Sequence, residues 1–243
     1  SAWARHGMTL TMVLCAAAAL GTHSRGALIA IVAMSLLLWW RGKSRLAGGI
    51  VIVMAGIALV AFMPESWSER MSSITEYAED RSALGRISAW WNAWNLAFDY
   101  PFGVGFNAAR PELFARYSPY PEYVHAAHSI YFQVLGNHGF GGLALFLALW
   151  VSTWFNAGWL RKQGAAAPEA RWCAELGAMA QVSLLGYAVG GAFLSLSYFD
   201  LPYNLMAAVV LTRIWVQKHA WQTEPAYAPR WRLIPGLSTA KAP

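Results

Sequence analysis

Long apolar runs alternate with short polar connections along most of the chain, and this pattern predicts helices that cross a lipid bilayer. A helix needs about 20 predominantly apolar residues to cross a hydrocarbon core of about 30 Å. Six runs approach or reach that length: residues 8–21, 26–40, 46–63, 129–155, 173–198 and 201–217. The last two are separated only by the turn-like sequence Asp200, Leu201 and Pro202. We therefore predict an all-α fold, a polytopic integral membrane helical bundle.

The positions of the basic residues predict how this bundle is oriented. Cytoplasmic loops are enriched in lysine and arginine, and such residues follow the second, fourth and sixth apolar runs. The chain then divides into transmembrane helices (1–63), an outward periplasmic loop (64–128), further transmembrane helices (129–217) and a cytoplasmic tail (218–243). The expected location is the bacterial cytoplasmic (inner) membrane, with several passes and the large loop outside.

The large outward loop contains a segment with the amphipathic pattern of a helix. Within residues 81–98, one face carries Ile87, Trp90, Trp91, Trp94, Ala97 and Phe98, and the opposite face carries Ser88, Asn92 and Asn95. Tryptophan is favoured at the headgroup level of a bilayer, so we predict an interfacial helix here. Pro101 should end it, and Gly103 and Gly105 permit a tight turn before a second aromatic-rich stretch at 114–123.

Composition indicates lipid, rather than water or nucleic acid, as the surroundings of the chain. Of the 243 residues, 57% are hydrophobic and 12% are charged, whereas soluble domains contain about 25% charged residues. The net charge of +6 comes largely from connections beside apolar runs and from the tail, so we expect no nucleic-acid partner. Cys15 and Cys173 lie in or beside apolar runs and suggest no metal site. Because the chain begins with Ser1 and Met8 already lies in an apolar run, we expect it to be the C-terminal part of a longer protein.

Three residues on the predicted outer side are candidates for chemistry on a phosphate-containing substrate. Arg25 precedes the second apolar run, Arg86 flanks the tryptophan face, and His128 precedes the fourth run. Arginine can bind phosphate through two hydrogen bonds, and histidine can act as a general base near neutral pH. Simpler interpretations are snorkelling for Arg25, a headgroup contact for Arg86 and an ordinary interfacial histidine. His125 and His138 are alternatives for the base.

Motifs of several other enzyme classes are absent from the chain. It contains no GxxxxGK[ST], HExxH, DxD or GxSxG sequence. These are the motifs of nucleotide hydrolysis, zinc proteolysis, metal-dependent use of nucleotide sugars and serine hydrolysis. Nucleotide hydrolysis, zinc proteolysis and metal-dependent use of nucleotide sugars therefore lose support, and the sequence indicates no cofactor.

Several short motifs, in this order, resemble the O-antigen ligase and polymerase superfamily. They are SRGA before an apolar run, R-x-x-x-W formed by Arg86 and Trp90, P-x-G-x-G at residues 101–105, and H-S formed by His128 and Ser129. The run ELFARYSPYPEYVHAAHSIYFQVLGNHGFGGLALFLALW resembles the O-glycosylation ligases associated with exosortase systems. The resemblance covers about residues 20 to 200.

This resemblance implies an inverting, metal-independent glycosyltransferase whose donor is a glycan linked to a polyprenyl diphosphate. The acceptor would be a hydroxyl of a glycan, lipid or protein. The arginines that match Arg25 and Arg86 would hold the diphosphate, and the histidine that matches His128 would serve the acceptor hydroxyl. His125 and Tyr131 are the candidate supporting residues. Fixed cations can stabilise charge on the leaving diphosphate, and a positioned base contributes about 10²–10⁴-fold.

Other functions fit parts of the same sequence. A polysaccharide polymerase, or a ligase acting on lipid A core, would use this chemistry on a different acceptor. A non-enzymatic transporter should carry charged residues inside its spans, but residues 26–40 and 46–63 contain none. A transpeptidase would need a base near Cys15, and none is evident. An inactive fragment is also compatible with a missing N-terminal part.

Overall fold

The structure is a computed structural model that describes residues 2–22, 24–42, 44–61 and 81–222. In these ranges the α-helices are α1 (Ala2–Gly21), α2 (Arg25–Arg41), α3 (Arg45–Ala61), α4 (Arg81–Asp99), α5 (Pro111–Tyr117), α6 (Ile130–Gln163), α7 (Arg171–Gly191) and α8 (Asp200–Gln217). Short 3₁₀ segments lie at Gly164–Ala166, Pro168–Ala170 and Ala220–Gln222. The described residues contain helices and turns without a strand, so the all-α prediction is confirmed.

The six apolar runs correspond to α1, α2, α3, α6, α7 and α8, with some ends displaced. Helix α7 ends at Gly191, before the predicted end at residue 198. The turn lies at residues 192–199, so the prediction of a turn at Asp200–Pro202 was wrong. Those residues begin α8, because proline is tolerated in the first turn of a helix, where backbone N–H groups have no helical partner.

Only part of the predicted membrane topology can be compared with the helices. Among the described residues, one helix, Ile130–Ala166, has the length and apolar composition needed to span a membrane. His6–Ala19, Gly26–Arg41 and Arg45–Met54 are apolar but shorter. The multi-pass arrangement therefore stays a prediction. The end of the predicted third run (62–63), the start of the predicted loop (64–80) and most of the predicted tail (223–243) lie outside the described residues.

Helix α6 lies at the centre of the packing. It contacts α4, α7 and α8, and α7 also packs against α2. One core cluster includes Ala157, Leu160, Cys173, Val209 and Val216, towards the end of α6. A second cluster near the start of α6 includes Ile130, Val134 and Phe146. The C-terminal helices thus form the base on which α4 and its following loop are mounted.

Helix α4 presents its polar face to the protein and its tryptophan face outward. Ser88 and Asn92 are buried, whereas Trp91 and Trp94 are 49% and 44% exposed. The Ser88 hydroxyl forms hydrogen bonds with the Ser118 hydroxyl (2.7 Å) and the Tyr120 carbonyl (2.8 Å). The Asn92 side chain donates to the Ala108 carbonyl at 3.2 Å. The Asn95 side chain donates to the Tyr117 carbonyl at 2.8 Å. These bonds fasten the loop to α4. Trp91 and Trp94 remain available to an apolar environment.

One residue of the predicted tryptophan face was placed wrongly. Ala97 is only 1% exposed and lies on the packed side of α4. It follows the buried Ala93 by four residues, a spacing that puts two side chains on the same helical face. The outward face is therefore narrower than the sequence predicted.

The turn after α4 docks against a kink in α6. Gly139 interrupts the helical backbone with φ 63°, and Gly103 in the facing turn has φ 77°. A Cβ on Gly139 would lie 2.0 Å from the Pro101 carbonyl oxygen, and one on Gly103 would lie 2.2 Å from the Asn137 carbonyl oxygen. Only glycine combines these backbone angles with such close approach. Gly105 N–H also donates to the Asn137 carbonyl at 2.9 Å, so this contact fixes α4 on α6.

Candidate functional site

The loop between α5 and α6 brings two histidines to α4. The Trp90 indole N–H donates to the Ala127 carbonyl at 2.7 Å, and the Trp90 ring stacks on Phe132 with centroids 5.1 Å apart. Trp90 therefore holds the end of the loop between α4 and the first turn of α6. This contact fixes the backbone immediately before His128.

His128 has an uncommon backbone conformation. Its φ is +43°, in the left-handed region that L-residues other than glycine seldom adopt. Its backbone N–H donates to the Ser195 hydroxyl at 2.9 Å, in the turn between α7 and α8. Buried Ser129 occupies the N-cap position of α6, but its side chain makes no capping hydrogen bond within the described residues. Contacts from α4 and the α7–α8 turn hold His128 instead.

Arg86 lies one helical turn before Trp90 and on the same side of α4 as the loop. Its Nε atom is buried and has no hydrogen-bond partner among the described residues. Burial lowers the pKa of His128 below its usual 6.5, and the positive charges of His125 and Arg86 lower that pKa further. A lowered pKa favours the neutral imidazole of His128, which is the form that can accept a proton. The buried Nε of Arg86 is a donor left unused within the described residues.

His125 contributes to the same cluster. Its ring centroid lies 4.8 Å from that of His128, and its Nδ1 is 3.2 Å from the Ala126 carbonyl oxygen. It also packs against Gly85, where an added Cβ would lie 3.1 Å from the His125 ring. A larger residue before Arg86 would push the ring away. The small size of residue 85 thus permits the two histidines to lie over α4.

The start of α2 lies at the same end of the bundle. Arg25 is the first residue of α2, and Ser24 caps the helix by accepting a hydrogen bond from the Ala27 N–H at 3.3 Å. Buried Gly26 packs against Phe193, which belongs to the turn that also carries Ser195. The Arg25 side chain lies outside the described residues. Its backbone is nonetheless held by the turn that holds His128.

Two other sequence candidates are engaged in different contacts. The Tyr131 hydroxyl donates to the Ala188 carbonyl at 2.8 Å, which ties α6 to α7. His138 lies with its Nε2 3.1 Å from the Tyr198 hydroxyl and its ring against Phe106. His138 therefore does not share the cluster of His125 and His128.

A cleft of about 190 Å³ opens beside His125, between α4 and the start of α6. Asn92 lines it and is only 2% exposed, yet its Oδ1 has no hydrogen-bond partner among the described residues. The rest of the lining includes Phe106, Asn107, Phe132, Gln133, Asn137 and Ser195. Aromatic rings and amide groups together suit a ligand that carries hydroxyl groups, and an unpaired buried acceptor calls for a donor.

These positions fall within a recognised family. Residues 10–147 match the family described as O-antigen ligase. The chain belongs to the O-antigen ligase family. This is a family of bacterial inner-membrane proteins, and the matched segment contains Arg25, Arg86 and His128. No curated protein and no solved structure matches the chain. The closer resemblance to exosortase-associated ligases stays a prediction.

The sequence did not indicate two residues of this candidate site. Ser195 is 67 positions after His128, in a segment predicted to be membrane-spanning helix, and carries no motif. Asn92 was assigned only to the polar face of α4, without a role. Both residues matter because of the groups that they contact in the folded protein, and those contacts cannot be recognised from the sequence. Trp90 was recognised as part of R-x-x-x-W, and its bond to Ala127 gives that spacing a physical reason.

Proposed function

We propose that this protein is a membrane glycosyltransferase of the O-antigen ligase type, acting at the outer face of the bacterial cytoplasmic membrane. It transfers a glycan from a polyprenyl diphosphate to an acceptor hydroxyl, with inversion and without a metal. The observation that carries this proposal is the cluster of His128 with His125, whose ring centroids lie 4.8 Å apart, near Arg86. Burial lowers the pKa of His128, and the charges of His125 and Arg86 lower it further. The buried Nε of Arg86 has no hydrogen-bond partner among the described residues, so the cluster offers a base for a hydroxyl and a cation for a diphosphate.

The two groups divide the reaction between them. The acceptor oxygen attacks the anomeric carbon on the face opposite the diphosphate, and the bond from that carbon to the phosphate oxygen breaks. The hydroxyl proton passes to the His128 imidazole as the new bond forms. The diphosphate leaves with the bonding electron pair, and Arg86 and Arg25 stabilise its negative charge. His125, whose ring centroid lies 4.8 Å from that of His128, is the supporting residue beside the base.

The cleft beside His125 is the proposed acceptor site. Buried Asn92 offers there a side-chain oxygen without a partner in the described part of the chain, and Gln133 and Asn107 supply further polar groups. Phe106 and Phe132 provide apolar surface of the kind on which sugar rings pack. An acceptor sugar would place one hydroxyl towards the histidines while others bond to the amides. Tyr131 supports the site indirectly by holding α6 against α7.

The proposed setting is a bundle of six spans with residues 64–128 outside and residues 218–243 in the cytoplasm. Two observations support it. Trp91, Trp94 and Phe98 on α4 face outward, as expected for a helix lying at the bilayer surface. From Gly139 to Arg161, α6 covers about 33 Å at about 1.5 Å per residue, close to the bilayer core of about 30 Å.

Transfer can be tested with the natural full-length protein in proteoliposomes. These would be supplied with a polyprenyl-diphosphate-linked glycan of known anomeric configuration and a hydroxyl acceptor, with chelator present. The proposal predicts a glycosylated acceptor with inverted configuration, determined by NMR, and release of an equal amount of polyprenyl diphosphate. Retained configuration, or a strict metal requirement, would contradict it. If the repeat-unit glycan itself serves as acceptor, the protein is a polymerase of the same superfamily.

A further inference from the structure

A second basic site lies at the end of the bundle opposite His128. Arg41 is the last residue of α2, and Arg161 lies in the last turn of α6. Both line a groove of about 760 Å³ whose other walls come from Leu37, Leu38, Trp40, Gly42, Ala178, Met179 and Val182. Two arginines thus meet over an otherwise apolar surface.

Arg41 is held in place, but one of its donors is unused. Its Nη2 donates to the Gln181 side-chain oxygen at 2.7 Å, and its guanidinium lies 5.8 Å from the centroid of the Trp154 ring. Gln181 is itself buried and fixed by a bond to the Trp154 carbonyl at 3.0 Å. The Nη1 atom of Arg41 is buried without a hydrogen-bond partner in the described residues. A prearranged guanidinium with a free donor is suited to an oxygen acceptor.

The electrostatics of this groove favour an anion. Burial lowers the pKa of Arg41, and the positive charge of Arg161 lowers that pKa further. In the described part of the chain, the ion pair is Arg116 with Asp99, in the distant α4–α5 region, and neither groove arginine pairs with a carboxylate. Two neighbouring guanidinium groups without an acid are best compensated by a ligand with several negative oxygens.

We propose that Arg41 and Arg161 bind the phosphate of an anionic phospholipid headgroup on the cytoplasmic side. The apolar walls of the groove would accommodate the start of its acyl chains, which a free phosphate does not possess. This inference depends on the membrane orientation proposed above but not on glycosyl transfer. Arg41 and Arg161 lie at the end of α2 and α6 remote from the histidine cluster, so their loss should leave transfer unchanged.

Binding can be measured with the delipidated full-length protein in neutral detergent, titrated with short-chain phosphatidylglycerol. Saturable binding is expected, weakened at least about fivefold by Arg161→Gln and at least about tenfold by Arg41→Gln/Arg161→Gln. Arg161→Gln alone preserves the contacts of Arg41 with Gln181 and Trp154. The single variant therefore still tests the site if the double variant does not fold. The matched control is Lys162→Gln/Arg171→Gln, which removes two exposed charges at the same end and should change affinity less than about twofold.

Three results would overturn the proposal. If the control pair weakened phosphatidylglycerol binding equally, the lipid would be held by general charge attraction and not by a specific site. Competition by inorganic phosphate at the same affinity would identify free phosphate, not lipid, as the ligand. Unchanged binding in all variants would exclude the groove. Glycan transfer measured in the same variants separates this question from the proposed activity, because a failed lipid site leaves transfer intact.

Discussion

His128 combines a constrained backbone with an electrostatic setting suited to a base. The left-handed φ of +43° costs about 1–2 kcal/mol for a residue with a Cβ, and the Ser195 hydroxyl and the Trp90–Ala127 bond hold it. Sequence could indicate this residue through the H-S motif. It could not reveal the conformation, because the restraining groups come from α4 and from the turn after α7.

The backbone of His128 gives a way to separate catalysis from folding. His128→Gly removes the imidazole and also relieves the left-handed conformation. We expect transfer to fall by about 10²-fold or more while the thermal unfolding temperature stays the same or rises. Thermal unfolding in detergent and transfer in proteoliposomes would be measured in parallel. A large drop in unfolding temperature would mean that His128 is mainly structural.

The pH dependence of transfer should report the neutral form of His128. Burial first, and then the charges of His125 and Arg86, lower its pKa below 6.5, so the base is present at pH 7 and is lost as the pH falls through the lowered pKa. The kcat/KM profile should therefore show its acid limb below pH 6.5. In His125→Gln, one positive neighbour is absent, and the limb should move up towards 6.5. A limb that stays in place would exclude coupling between the two rings.

At the scale of elements, the P-x-G-x-G turn packs into the α6 kink, and we call this contact the joint. The sequence predicts the turn but not the kink. Pro101, Gly103 and Gly105 predict a turn after α4, and the structure confirms that α4 ends at Asp99. The partner in the joint, Gly139, lies inside an apolar run that reads as one continuous helix. The kink depends on a contact with the turn after α4, and the local sequence pattern does not show that contact. The pattern likewise did not show that α7 ends at Gly191.

Adding one methyl group at Gly139 in this joint should strongly reduce both stability and glycan transfer. Gly139→Ala would place a Cβ 2.0 Å from the Pro101 carbonyl oxygen at a positive φ, so α4 must shift on α6. We expect destabilisation of at least about 2 kcal/mol and loss of transfer, because α4 carries Arg86. Gly105→Ala is the matched control, since its φ is +85° but no atom lies within 4 Å of the added Cβ. If both variants were equally stable, α4 could shift on α6 without loss of stability, and the prediction would be wrong.

At the scale of the whole molecule, the distribution of apolar and polar surfaces agrees with a membrane enzyme. Sequence predicted the helical runs, the helix at α4 and the family, because these depend on local periodicity and short motifs. It did not predict the cleft beside His125 or the Arg41–Arg161 groove, since these arise between helices far apart in the chain. The O-antigen ligase family assignment and the histidine cluster, which rest on different observations, lead to the same proposal.

The most direct test is single-turnover glycan transfer by wild type, His128→Ala and Arg86→Gln at matched expression. Arg110→Gln, an exposed arginine in the same loop, and His6→Ala, an exposed histidine in α1, are the controls. We expect a fall of about 10²-fold or more in each site variant and less than about twofold in the controls. Wild-type rates in both site variants would contradict the shared site of Arg86 and His128, and with it the proposed mechanism.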